Sequence, residues 1–210
     1  MDLESMKSCI RRLLVALDFL RSECRIIRTD LQLKNLLLPA PDATKLSSFE
    51  DRAVSAPSSR KVLKDRTIYT SPLFPPGKGL PLVSDFGEAR FGDEEHNEDI
   101  MPNAYRAPEV IFKMKWDYKV DIWNVAMVAW DIVSSHTLFN GRNPDGIFDD
   151  RVHLAELVAL LGPPPPEFRE RSHLKSIAAD IKGEDKEGFL RWLRAALQWL
   201  PEDRPTATEL

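Results

Sequence analysis

A mainly α-helical domain with a few short β-strands is the fold class that this 210-residue sequence predicts. Three observations carry it. Apolar residues recur at helical spacing along four segments, and apolar runs of strand length occur only around 36–38, 67–69 and 82–83. A balance of 43% hydrophobic and 30% charged residues is that of a chain able to bury one sizeable core.

Met6, Ile10, Leu13, Leu14, Leu17 and Leu20, with Lys7, Arg11, Arg12 and Asp18 between them, predict an opening amphipathic helix. Leu36-Leu37-Leu38, ended by Pro39, suits a short buried strand. From about 39 to 81 prolines, serines and charges replace periodicity, which predicts a surface loop insertion of partial order with one short strand at Thr67-Ile68-Tyr69. Leu82 and Val83 return to strand character. Val120-Asp121-Ile122-Trp123 opens a second helix whose residues Val125–Val133 are apolar on nearly every side, the pattern of a buried central helix. A third helix spans Arg151 to Leu161, stopped by Gly162 and the run Pro163 to Pro166. The fourth runs from Lys186 to Leu200, with Phe189, Leu190, Leu193, Leu197 and Leu200 on its apolar face. Trp123, Trp130, Trp192 and Trp199 fall in these stretches and read as core.

A formal net charge of −4 offers no basic excess, so nothing in the bulk charge favours a nucleic-acid or anionic-membrane partner. The segment Met1–Lys7 has acids and no signal-type apolar core, and no apolar run is long enough to span a bilayer. Cys9 and Cys24, both in or beside the first helix, make a poor disulfide framework. The expected location is the cytosol or nucleus.

Four tracts bear on chemistry. The first is Ile26-Ile27-Arg28-Thr29-Asp30-Leu31-Gln32-Leu33-Lys34-Asn35; the second is Ser84-Asp85-Phe86-Gly87; the third is Tyr105-Arg106-Ala107-Pro108-Glu109; the fourth is Pro201-Glu202-Asp203-Arg204-Pro205. Phosphoryl transfer asks a protein for metal-binding oxygens beside the phosphates and a carboxylate near the attacking hydroxyl, and Asp30, Asn35 and Asp85 can supply them. Each tract alone also suits a plain turn, and Asp121 alone also suits a helix N-terminus favoured by the dipole. The acids between Phe91 and Ile100 (Asp93, Glu94, Glu95, Glu98, Asp99) can attract a basic substrate or simply form a solvated acidic loop.

Taken together and in this order, the tracts resemble the C-terminal lobe of a protein kinase over nearly the whole chain, 1–210, with the insertion at about 39–81. Thr29, that insertion and the tract His153–Pro165 make the SR-protein kinases and their fungal relatives the most similar branch. The resemblance implies a serine/threonine kinase using ATP and Mg²⁺, with a protein substrate, Arg/Ser-rich in that branch. It implies Asp30 as the catalytic base, Asn35 and Asp85 as Mg²⁺ ligands, and Gln32, Leu37 and Ser84 as nucleotide-pocket residues. It also implies a structural pair between Glu109 and Arg204, and an Asp121 that holds the catalytic loop.

Three features depart from the family pattern. No glycine-rich loop or accompanying lysine precedes Asp30, so the N-terminal, ATP-covering lobe is expected to be absent. Apolar residues of the first helix, and Leu37, are then expected to be exposed. Arg28 stands where histidine is usual, and such a cation must reach solvent or find an acid. Gln32 stands where a lysine usually contacts the transferred phosphate. The competing expectation is a non-catalytic interaction module; oligomeric state is left open.

Overall fold

In the computed structural model the described residues are 3–72, 74, 76–162, 164–165 and 186–210, and they form two compact units, one of residues 1–36 with 83–210 and the other of residues 37–82. In the larger unit, helix α1 (Leu3–Ser22) turns Leu3, Met6, Cys9, Ile10, Leu13, Leu14 and Leu17 inward. A short helix, α3 (Pro108–Ile111), precedes α4 (Lys119–Val133); the apolar stripe of α1 packs on α4, of which every residue from Val120 to Trp130 is buried. A helix apolar all round has no solvent face to offer, so it becomes the axis on which the others stack. Helix α6 (Lys186–Ala196) covers another side of α4 through buried Phe189, Leu190 and Leu193.

Helix α5 (Asp150–Leu161) begins where Asp149 caps the amide of Arg151 and stops at Gly162, whose φ of 88° a residue with a side chain rarely adopts. The expected proline stop is only partly visible, since Pro163 and Pro166 lie outside the described residues. Helix α6 ends at Ala196, short of Leu200. Pro201 forces Leu200 into an extended conformation, φ −84° and ψ 130°, so that Leu200 caps a single turn at Pro201–Asp203. Trp123, Trp130 and Trp199 are core residues, whereas Trp192 is only partly buried.

Strand β1 (Ile26–Ile27) pairs antiparallel with β6 (Arg90–Phe91), Ile26 opposite Phe91 and Ile27 opposite Arg90, and Gly92 N donates to Arg25 O at 2.7 Å. This short ladder brings the Asp30 tract alongside the tract that follows Asp85. Strand β2 (Leu36–Leu37) pairs with β5 (Leu82–Val83). The strand expected at 36–38 therefore exists but is not buried, for Leu37 and Leu38 are exposed. On α1, Val15 and Phe19 are exposed as well.

Residues 37–82 contain more regular structure than the loop their composition suggested. Helix α2 (Ala43–Ser55) starts where the Asp42 carboxylate accepts from Lys45 N at 3.0 Å, a cap strong enough to set a helix boundary without a buried face. No residue of α2 is buried, which is why the hydrophobic period was faint. Phe49 meets Phe74 edge-on at 5.0 Å. Strands β3 (Arg60–Val62) and β4 (Thr67–Tyr69) form an exposed hairpin, Lys61 opposite Ile68; the strand at 67–69 is present as expected. Among the described residues no helix is long and apolar enough to cross a membrane.

Candidate active site

Asp121 organises the site from within the core. Its carboxylate accepts from two consecutive backbone amides of the Asp30 tract, Arg28 N at 2.7 Å and Thr29 N at 2.9 Å. Burial raises its pKa to about 6, while those two amides and the nearby Arg28 charge act to hold it down. A carboxylate bonded in this way pins the loop to α4. Asn124, one helical turn further on and wholly buried, adds Nδ2 to Thr29 O at 3.5 Å. An asparagine in a helix otherwise apolar all round was a legible signal of this contact that sequence reasoning passed over.

Thr29 sits at φ 59°, strained for a β-branched residue, and its hydroxyl donates to Glu88 O at 2.5 Å. The bend it makes sends Asp30 out of the core. Asn35 then donates Nδ2 to both Asp30 O, at 2.9 Å, and Asp30 Oδ2, at 2.8 Å. Gln32 Nε2 donates to the other carboxylate oxygen, Asp30 Oδ1, at 2.5 Å. Asp30 is thereby held by amides on both oxygens in a half-buried position.

Asn35 O in turn accepts from Ser84 N at 2.9 Å and Ser84 Oγ at 2.8 Å. Ser84 ties the second tract to the first. The next residue, Asp85, has φ 59° and ψ 72° and is exposed. Asp30, Gln32, Asn35, Ser84 and Asp85 are thus joined by a continuous set of bonds and one peptide link. Leu37 belongs to the unit of residues 37–82, and its side chain is exposed.

Arg28 takes neither course expected of it. It is fully buried, and it bonds a carbonyl rather than an acid: Nη2 donates to Ser84 O at 2.7 Å, and its guanidinium carbon lies 5.1 Å from the Phe86 ring centroid. Burial lowers its pKa, with Asp30, Asp121, Asp85 and Glu88 opposing that through their charges.

Away from the loop, Glu109 and Arg204 lie together. Both are buried and meet in a two-pronged pair, Nη1 to Oε1 at 2.5 Å and Nη2 to Oε2 at 2.7 Å. The other donors of Arg204 reach Gln198 O, Lys119 O and Trp199 O, and its guanidinium lies 5.1 Å from the Trp123 ring centroid. In the same segment Tyr105 Oη bonds Asp131, and burial together with that carboxylate raises the phenol pKa. Of the acids between 91 and 100, Asp93 pairs with Arg25, Glu95 with Lys115, Glu98 with Arg90 and Asp99 with Lys113. That loop spends much of its charge on its own chain.

Asp85 and Asn35 each carry an oxygen of the hard-donor type that Mg²⁺ takes together with waters and phosphate oxygens. Both Nδ2 bonds of Asn35 go to Asp30, and its amide oxygen is not used in them. Among the described residues no three His, Cys, Asp or Glu side chains converge into an all-protein metal cage.

Comparison with known proteins gives the chain a family. The family model described as the protein kinase domain matches residues 1–210. A serine/threonine protein kinase of Aspergillus fumigatus is 38% identical over 98% of this chain and 56% of its own length. The serine/threonine-protein kinase SRPK of Physarum polycephalum is 26% identical over 86% of this chain and 47% of its own length. The serine/threonine-protein kinase AFC1 of Arabidopsis thaliana is 29% identical, over 79% of this chain and 32% of its own length. The chain therefore spans about half or less of each of these relatives.

Proposed function

The chain belongs to the protein kinase family, and from that membership we propose that it carries the catalytic loop of a serine/threonine kinase of SR-protein-kinase-like type. The reaction is phosphoryl transfer from ATP to a serine or threonine hydroxyl of a protein substrate, with Arg/Ser-rich segments the favoured class. The observation that supports it best is the bonded set from Asp121 to Asp85. An acid, an amide and a second acid are held in register by backbone contacts that a set of unrelated turns would not need.

Asp30, at the surface end of this set, accepts the proton of the attacking hydroxyl. Asn35 and Asp85 would hold Mg²⁺. When bound, Mg²⁺–ATP supplies the phosphoryl group and neutralises the charge that develops in transfer. Gln32 restrains the Asp30 carboxylate; as a neutral amide it does not replace the charge of a lysine. Ser84 carries alignment from one tract to the other.

Residues 1–29 contain no glycine-rich loop or partner lysine. A second reading, a non-catalytic interaction module, is favoured by Gln32, a neutral amide bonded to Asp30. A thermal-shift titration with Mg²⁺ and ATP separates the two. Stabilisation that grows with ligand concentration and needs Mg²⁺ supports the kinase reading; a melting temperature indifferent to both supports the module.

A further inference from the structure

Asp85 has a left-handed backbone, φ 59°, which costs a non-glycine residue roughly 1 kcal/mol or more. Such a conformation persists only where both flanks are held. On its N-terminal side Ser84 is held by two bonds to Asn35 O; on its C-terminal side the Phe86 carbonyl accepts from Ala89 N at 3.1 Å, while the Phe86 side chain is 44% exposed. Arg28 touches both flanks at once, its Nη2 on Ser84 O at 2.7 Å and its guanidinium carbon 5.1 Å from the Phe86 ring centroid. Its own backbone amide is fixed by Asp121, and the side chain is fully buried, with Nε and Nη1 left without a partner.

A cation sealed from solvent with two idle donors is an expensive way to fill space. A lysine could donate to Ser84 O but would bring a compact ammonium in place of the delocalised guanidinium beside Phe86, and an aliphatic side chain would offer neither. From this we infer that Arg28 is a positioning residue: it grips Ser84 and Phe86 together and so fixes the backbone, and hence the carboxylate direction, of Asp85. Describing Asp85 as the metal ligand rests on the kinase reading above; the grip itself does not.

Hydrogen exchange on the whole chain tests it. In Arg28→Lys, peptides spanning 84–91 are expected to exchange about tenfold faster while α4, at 119–133, keeps its protection. Phe86→Leu, at an exposed position, provides a second route should Arg28→Lys fail to fold. It should loosen the same peptides, and the double variant should be little worse than either single one, because both remove one shared contact. Unchanged exchange at 84–91 would overturn the inference, and so would equal loss at 84–91 and in α4, which is what a merely structural arginine gives. A parallel Mg²⁺ titration at fixed ATP should require about tenfold more Mg²⁺ in Arg28→Lys. A wild-type chain that ignores Mg²⁺–ATP but shows the local exchange effect removes the nucleotide reading and leaves the grip supported.

Discussion

His153→Leu is expected to abolish a pH dependence of folding of about 3 kcal/mol. His153 lies on α5 with no exposed surface, its ring 5.3 Å from Phe139 and 5.6 Å from Phe148, and neither ring nitrogen has a partner. Burial lowers its pKa from 6.5 to about 4; Asp150 favours the protonated ring and Arg106 opposes it. Above pH 6.5 the imidazole is neutral both folded and unfolded, so this contribution is fully present. Between 6.5 and 4 only the unfolded chain takes the proton, and stability falls as the pH falls through that window. At about 1.4 kcal/mol per pH unit the loss reaches about 3 kcal/mol by pH 4. Leucine fills the slot without polar atoms, so the variant should be at least as stable at pH 7. Urea unfolding at pH 7, 6, 5 and 4.5 measures both chains, whose other titrations cancel in the difference. Curves for wild type and variant that run parallel over this range would show that the ring is protonated, or relieved by water, in the folded state.

Glu109→Ala strands a fully buried guanidinium and should cost about 3–5 kcal/mol, read from the denaturant midpoint at constant slope. Asp121→Asn turns one of two amide acceptors into a donor; a loss of about 1–3 kcal/mol is expected, with exchange of the Arg28 and Thr29 amides accelerated ahead of the rest of the loop. Asp85→Asn should leave the melting temperature of the ligand-free chain within a degree or two and remove the Mg²⁺-dependent part of any ATP stabilisation. Asp30→Asn should keep nucleotide binding and lose transfer by at least about a hundredfold in a radiolabelled phosphate assay.

Legibility in the sequence followed burial. Helices α1, α4, α5 and α6 announced themselves because each lays an apolar face, or in α4 the whole surface, against the core. Helix α2 did not, since it buries nothing and is set by the Asp42 cap and by contacts among its own neighbours. The pair Glu109 and Arg204 was readable only through family resemblance, being ninety-five positions apart with no periodicity to join them.

The linear sequence by itself determined the order of the tracts, the residue types they offer and the central place of α4, because periodicity and side-chain chemistry are local properties. Only the tertiary structure decided what the departures mean. Arg28, which had to find solvent or an acid on electrostatic grounds, found a carbonyl and an aromatic face once β1 paired with β6 and carried Ser84 and Phe86 to it. Gln32 proved to be a partner of Asp30, and the acids of residues 93–99 proved largely matched by cations distant in sequence. Which charge meets which donor depends on distances across the fold, and no spacing along the chain encodes them.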